Sequence, residues 1–288
     1  MRTVGMIGLG LLGSALAERL LAAGYGVLGY DLSAERRAEL TAAGGRAADA
    51  AVDVARACDV VVLSLPDADV VAKVIAQLQP ALRDGLLIVD TTTGDPAESA
   101  TLGAKLAGQG VGFLDATIAG SSVQVRDGAA AVMVGGEVAT FDLVREIISC
   151  FGKEVFHVGP WGSGARMKLV VNLVLGLNRA VLAEGLTLAG ALELDLPTTL
   201  AILKASPAYS TVMDTKGEKM LAGDFAPQAR LSQHLKDVRL ILAAGARTGA
   251  RLPLSSVHRQ LLEWAEEAGL GESDNSAIIR AFQSPERP

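Results

Sequence analysis

The sequence predicts an α/β chain: a doubly wound parallel sheet in the first half, an all-α C-terminal domain in the second, and one long inter-domain helix joining them. Three observations carry this expectation. Short β-branched apolar runs alternate with helical segments over residues 1–160, the pattern of parallel strands joined by crossover helices. A glycine-rich turn lies between the first such run and the first helix. Beyond Gly159-Pro160 the strand pattern stops, and residues 161–288 read as helices only.

Composition narrows the class. Apolar residues make up 50% of the 288 positions but aromatics only 4%, so the core is built from Ala, Val, Leu and Ile, which suits buried parallel strands and packed helices. The net charge of −6, without a Lys/Arg cluster, argues against nucleic acid or an anionic membrane surface as partner. Cys58 and Cys150 stand in apolar helical contexts, and no Cys/His spacing resembles a metal site, so two buried free thiols in a reducing cytoplasm are expected. No uninterrupted apolar run reaches the ~18 residues of a membrane span. The first twenty residues superficially imitate a secretory signal, but their glycines sit where a nucleotide-binding turn needs them.

Taken in order, Thr3–Ile7 reads as a buried strand and Leu12–Ala23 as a helix closed by Gly24. Between them lies Gly8-Leu9-Gly10-Leu11-Leu12-Gly13; the next strand, Gly26–Tyr30, ends at Asp31. Strand, glycine turn, helix, strand and acid in this order make the fingerprint of a Rossmann-type dinucleotide fold. Gly8 permits the tight turn, Gly10 lets the amides at Leu11 and Leu12 approach a pyrophosphate, and Gly13 lets helix and strand pack closely. Asp31 can accept the ribose hydroxyls of NAD and repels the 2′-phosphate of NADP, so NAD is the expected cofactor and NADP the lesser one. Arg36 and Arg37 read as solvated helix charges.

The alternation continues with strands at Val60–Ser64 and Leu86–Asp90, each followed by a loop and a helix. Ligands bind at the carboxyl ends of such strands, which makes Leu65-Pro66 and Thr91-Thr92-Thr93 candidate cofactor contacts. A threonine cluster ahead of a helix is also a common N-cap. Further strands are expected at Gly112–Ala116, Ala130–Val134 and Lys153–Val158, with Thr117–Ser122 as a loop. In the second half, helices are expected near 197–205, 211–221, 230–248, 254–268 and 276–282, the last capped by Asp274.

The long helix opens at Gly162-Ser163-Gly164 and carries Lys168 one turn inside its start, with Asn172 on the same face. It is apolar on every side, the mark of a buried helix, and a lysine there pays a desolvation cost unless it snorkels to solvent or is used. His157, His234 and His258 are scattered, and Trp161 and Trp264 read as packing residues.

Together these motifs resemble the β-hydroxyacid dehydrogenase family, the group containing 3-hydroxyisobutyrate dehydrogenase and tartronate semialdehyde reductase. The resemblance runs over the whole chain: Gly8 to Gly13 with Asp31, Leu65-Pro66-Asp67, Asp90 to Pro96, Phe113–Ala116 with Met133–Gly136, Gly162-x-Gly164-x-x-x-Lys168 with Asn172, and Lys236-Asp237. It implies that Lys168 is the general acid/base, that Asn172 orients the substrate, that Thr93 contacts the nicotinamide ribose region, and that Lys236 closes over cofactor and substrate. The family's Ser-Gly-Gly loop, which follows Pro-Val and grips the substrate carboxylate, here reads Ala119-Gly120-Ser121 after Thr117-Ile118, with Ser122 next. Val171 replaces the first of the two asparagines usual after the lysine.

The implied reaction moves a hydride between the nicotinamide and the β-hydroxyl, or semialdehyde, of a small anionic acid, with the proton on Lys168. For that role the amine pKa has to fall from about 10.4 toward roughly 7–8. An imine reductase of the same architecture is an alternative, though those enzymes usually carry Asp or Tyr at the Lys168 position. A non-catalytic NAD-binding module is another, and such modules tend to lose the lysine. The apolar helix exceeds what one small domain can cover, so a homodimer or homotetramer is expected.

Overall fold

The computed structural model describes residues 2–283, and the chain divides into two compact units, Met1–Lys168 and Leu169–Pro288. The first contains eight strands: β1 (Thr3–Ile7), β2 (Gly26–Tyr30), β3 (Arg46–Ala47), β4 (Val60–Leu63), β5 (Leu87–Asp90), β6 (Gly112–Ala119), β7 (Ala131–Gly136) and β8 (Glu154–Gly159). They form one sheet in the order β3-β2-β1-β4-β5-β6-β7-β8. Its helices are α1 (Leu11–Ala22), α2 (Ala34–Ala42), α3 (Ala51–Ala57), α4 (Ala68–Leu78), α5 (Pro96–Ala107), α6 (Ser122–Arg126) and α7 (Val138–Ser149). The sheet has an apolar core on each face: Leu16, Leu20, Phe141, Ile148 and Phe151 belong to one, Val54, Ile75, Leu78, Leu106 and Phe113 to the other. Two covered faces explain why the strands are continuous apolar runs rather than alternating ones.

The sheet is parallel except at one place: β6 and β7 pair antiparallel, with Thr117 opposite Met133. The physical reason is the length of the connection. Residues 120–130 hold only the short α6, less than the dozen or so residues that a parallel crossover needs. The expected loop at Thr117–Ser122 is corrected. Strand β6 runs on to Ala119, and Ser121 caps α6 through a capping box with Gln124. Cys58 is buried as expected, whereas Cys150 is only half-buried.

Helix α8 (Ser163–Ala191) starts in the first unit and continues into the second, which also holds α9 (Leu196–Ala205), α10 (Thr211–Ala222), α11 (Leu231–Thr248), α12 (Pro253–Ala265) and α13 (Arg280–Gln283). Leu182, Leu186, Leu200, Val212, Leu235, Leu262 and Ile278 build its core. Asp274 does more than cap the tight turn at Asn275–Ile279 through Ser276 N–H. It accepts from Lys216 Nζ at 2.8 and 2.9 Å and from the backbone N–H of Gln228 at 2.9 Å, fastening α10, the loop before α11 and the C-terminal segment together. Among the described residues, α8 is the helix long and apolar enough to cross a membrane, and 44% of its most apolar stretch is buried inside the protein.

Candidate cofactor and active site

The glycine turn has the shape its sequence implies. Gly8 adopts φ +93° and a Cβ there would lie 2.2 Å from the Ser64 carbonyl oxygen; a Cβ on Gly13 would lie 2.0 Å from the Gly8 carbonyl oxygen. Only glycine allows these approaches. At Gly10, by contrast, a Cβ would meet nothing within 4 Å, so the tip of the turn faces open space. Helix α1 has no side-chain N-cap and no acid in its first turn. Its first N–H groups, including those of Leu11 and Leu12, are therefore left for an anion, the arrangement a pyrophosphate requires. The residues present fit a dinucleotide.

At the end of β2, the Asp31 carboxylate accepts from Leu9 N–H at 2.7 Å and from Ser33 N–H at 2.9 Å, which fixes it beside the turn. Arg37 is not a solvated helix charge. Its guanidinium donates to the Asp31 carbonyl at 2.5 Å and lies over the Tyr30 ring, 5.8 Å from its centroid. Arg36 pairs with Glu39 at 2.9 Å.

The ends of β4 and β5 are tied to each other. Thr91 Oγ1 donates to the Leu63 carbonyl at 2.8 Å, and Leu65 N–H donates to Thr92 Oγ1 at 3.2 Å. The threonines do not cap α5; Asp95 does, accepting from Ala97 N–H at 2.8 Å. Asp90, under this loop, is pushed up to about 7 by burial, against hydrogen bonds from Thr92 that lower it. Leu65 and Pro66 follow β4 and Thr93 follows β5, so both candidate contacts lie on the sheet edge that carries the glycine turn.

The start of α8 is set against β6 and β7. Buried Asp115 accepts from Gly162 N–H and Ala165 N–H, both at 2.8 Å, and Thr117 Oγ1 donates to the Gly164 carbonyl at 2.9 Å. The two glycines of the Gly-x-Gly motif make this approach possible. Gly162 has φ +83°, and a Cβ on Gly164 would lie 2.4 Å from the Asp115 carbonyl oxygen. Lys168, one turn on and half-buried, donates to the Ile118 carbonyl at 2.5 Å. Its amino group thus lies at the carboxyl end of β6, the strand that leads into Ala119, Gly120, Ser121 and Ser122. In that segment the Ser121 hydroxyl accepts from Gln124 N–H at 3.3 Å, and Ser121 N–H donates to Gln124 Oε1 at 2.9 Å. Much of Ser121's hydrogen-bonding capacity therefore serves the turn.

In the helical unit, buried Asn172 donates to Asp237 Oδ2 at 2.8 Å, and Lys236 Nζ lies 3.5 Å from Asp237 Oδ1. The Lys236-Asp237 pair thereby holds the asparagine's amide in a fixed orientation. Sequence reasoning left Asp115, Thr117 and Asp237 without roles. Their partners lie 47 to 65 positions away, so no local spacing announced them. His234 and His258 have rings 5.2 Å apart and are buried against Gly176, within the helical packing.

Comparison with known proteins places the chain in a family. Residues 3–159 match the family model described as the NAD binding domain of 6-phosphogluconate dehydrogenase, and residues 162–282 match that described as the NAD-binding part of NADP-dependent 3-hydroxyisobutyrate dehydrogenase. The chain is 34% identical over 284 residues to 2-(hydroxymethyl)glutarate dehydrogenase of Eubacterium barkeri, covering 97% of this chain and 94% of the relative. It is 28% identical over 291 residues to L-threonate dehydrogenase of Cupriavidus necator, covering 100% and 98%. A crystal structure of 3-hydroxyisobutyrate dehydrogenase from Salmonella typhimurium superposes with a TM-score of 0.90 at 26% identity, covering 98% of this chain and 100% of that one. The chain therefore belongs to the 3-hydroxyisobutyrate dehydrogenase family, the NAD(P)-dependent oxidoreductases of hydroxy acids and their semialdehydes.

Proposed function

We propose that the chain oxidises the hydroxyl on the β-carbon of a small carboxylic or similarly anionic acid, or reduces the corresponding semialdehyde, with Lys168 as general acid/base. One observation carries this reading: within the first unit, the glycine turn after β1, the loops after β4 and β5, and the Lys168 ammonium at the end of β6 all lie on the same edge of the sheet. The nicotinamide supplies hydride transfer at the carbon bearing the hydroxyl. The neutral Lys168 amine takes the hydroxyl proton in oxidation, and the ammonium so formed returns it in reduction. The hydrogen bond to the Ile118 carbonyl holds the amino group in place until the substrate oxygen replaces that carbonyl as its partner.

Gly8, Gly10, Leu11, Leu12 and Gly13 bind the pyrophosphate, Asp31 the adenosine ribose, and Leu65, Pro66 and Thr93 the rest of the dinucleotide. Asp31 favours NAD over NADP. The backbone at Ala119, Gly120, Ser121 and Ser122 receives the acid group, while Asn172 orients the substrate and Lys236 contacts both ligands. The relatives named for 2-(hydroxymethyl)glutarate and L-threonate support a hydroxy acid, and a dicarboxylic one is worth testing first. Residues 1–160 form the dinucleotide-binding domain, which also supplies the 119–122 backbone to the substrate, and residues 161–288 the helical domain of substrate contact and self-association. The exposed Val170, Val174, Val181 and Leu188 of α8 support a homodimer or homotetramer, and the two free thiols suit the cytoplasm.

The test is a panel of β-hydroxy acids and semialdehydes with NAD and NADP, followed by the reduced-cofactor absorbance. Lys168→Ala is expected to lower kcat by about 10²–10⁴ while NAD binding persists. Unchanged turnover in that variant would overturn the assignment. A mass measurement that finds only monomer would overturn the oligomer.

A further inference from the structure

Helix α8 is capped from far away. The residue ahead of it, Gly162, has no side chain to offer, and the carboxylate that receives its N–H groups belongs to Asp115, 47 to 50 positions earlier in β6. A local N-cap stabilises a helix wherever that helix lies, whereas a cap supplied by another element also fixes where the helix lies. Strand β6 makes a second such connection two residues on. Thr117 shares a strand face with Asp115 and gives its hydroxyl proton to the Gly164 carbonyl. In an α-helix that carbonyl is the acceptor for the N–H of Lys168 itself. One contact holds N–H groups and the other holds a carbonyl of the same first turn, so the pair resists both sliding and rotation of the turn.

Burial strengthens the case. Asp115 is 1% exposed and Thr117 is 0% exposed. Among the described residues no basic side chain pairs with Asp115, and burial pushes its carboxyl up against the hydrogen bonds from Ala165 and Gly162. The neighbouring charge is the other buried carboxyl, Asp90, its partner in the β5–β6 register. A carboxyl in so unfavourable a place costs stability that a serine or asparagine cap would not. Its return is a two-point grip, one carboxylate oxygen on the Gly162 N–H and the other on the Ala165 N–H. Because residues on a helix are separated by about 100° of rotation, a one-residue slip of this turn would aim Lys168 away from the end of β6.

We propose that Asp115 and Thr117 are positioning residues for Lys168, fixing the rotation and register of the first turn of α8 so that the ammonium sits at the Ile118 carbonyl. The proposal rests on the reading of Lys168 as the proton-transfer group, and its test separates the two. Thr117→Val removes the hydroxyl with little change of shape, Thr117→Ser keeps it, and Asp115→Asn turns one acceptor into a donor facing an N–H. In each variant kcat, KM for the cofactor and the pH profile of kcat are measured. The Lys168 amine is titrated separately by NMR after reductive methylation, with Lys168→Arg identifying its signal.

Thr117→Val is expected to lower kcat by about 10- to 100-fold, in line with a misplacement of about 1 Å. It should also shift both the pH profile and the Lys168 titration midpoint, with cofactor KM unchanged and Thr117→Ser restoring wild-type behaviour. Asp115→Asn should do the same more strongly. A fall in thermal stability with kcat, pH profile and Lys168 titration all unchanged overturns the positioning role. If Lys168→Ala instead keeps full activity, the proposed reaction role fails, and the Lys168 titration in Thr117→Val still decides whether the strand sets the lysine.

Discussion

The most deeply buried aspartate of each unit fastens distant segments, and the two are held in opposite ways. Asp115 in the sheet unit is satisfied by backbone N–H groups alone, and burial pushes its carboxyl above the ordinary range. Asp274 in the helical unit is 0% exposed; burial would raise it too, but Lys216, the Gln228 N–H and Ser276 hold it down at about 2. The helical unit concentrates charge inside: the Arg179 guanidinium, pulled down to about 10 by burial, is influenced by the same carboxylate. The difference teaches what each aspartate is for. A charge-paired hub binds three chain segments regardless of their direction, whereas a carboxyl facing only N–H groups fixes the orientation of a single helix end.

The contrast can be broken at its strongest point first. Asp274→Ala leaves Lys216 buried without its counter-charge and is expected to cost about 3–5 kcal/mol in denaturant unfolding. Asp115→Ala orphans two backbone N–H groups and is expected to cost less, about 1–3 kcal/mol, with the loss of activity outrunning the loss of stability. Equal costs for the two variants would erase the distinction.

Acidity sharpens the comparison. The folded pKa of Asp274 lies below its unfolded value, so its contribution is complete above about 3.8 and is lost as pH falls toward 2. His258, lowered from 6.5 to about 4 by burial and then by Arg179, favours the fold above 6.5 and loses that contribution between 6.5 and 4. Asp90, raised to about 7, behaves oppositely: its contribution is present below 3.8 and is lost as pH rises through 7. Hydrogen exchange at pH 7 and pH 4 should therefore show protection falling in α11 and α12 before it falls in β5 and β6. The smallest effect expected is for Asp90→Asn, which keeps the acceptor for Thr92 N–H. Its melting temperature relative to wild type should rise between pH 5 and pH 8, and a flat difference would mean that Asp90 does not titrate in that range.

Much of the site was legible in local spacing. The interval from Gly8 to Gly13 and then Asp31 specifies a turn, a helix start and a strand end, all decided by neighbours in the chain, and the structure builds them with glycines at the close contacts. Lys168 and Asn172 share a helical face because they are four apart, which needs no fold to establish. The short elements were less readable. Strand β3 is a two-residue exposed edge strand and α6 is held by one capping box, and neither leaves a hydrophobic period to detect. Helix α7 did leave one, in Phe141, Val144, Ile147 and Ile148.

The sequence by itself determined the alternating first half, the nucleotide-binding turn with its acid, the helical second half and the family to which these belong. Periodicity and turn chemistry are local and survive without a tertiary structure. Only the tertiary structure decided that β7 runs antiparallel, that Arg37 clips the end of β2, that Asp237 holds Asn172, and that one strand, through Asp115, Thr117 and Ile118, sets the place of Lys168. Most of those choices join residues tens of positions apart, and the contacts of Asp115, Thr117 and Asn172 depend on burial that makes an unpaired polar group too costly to leave.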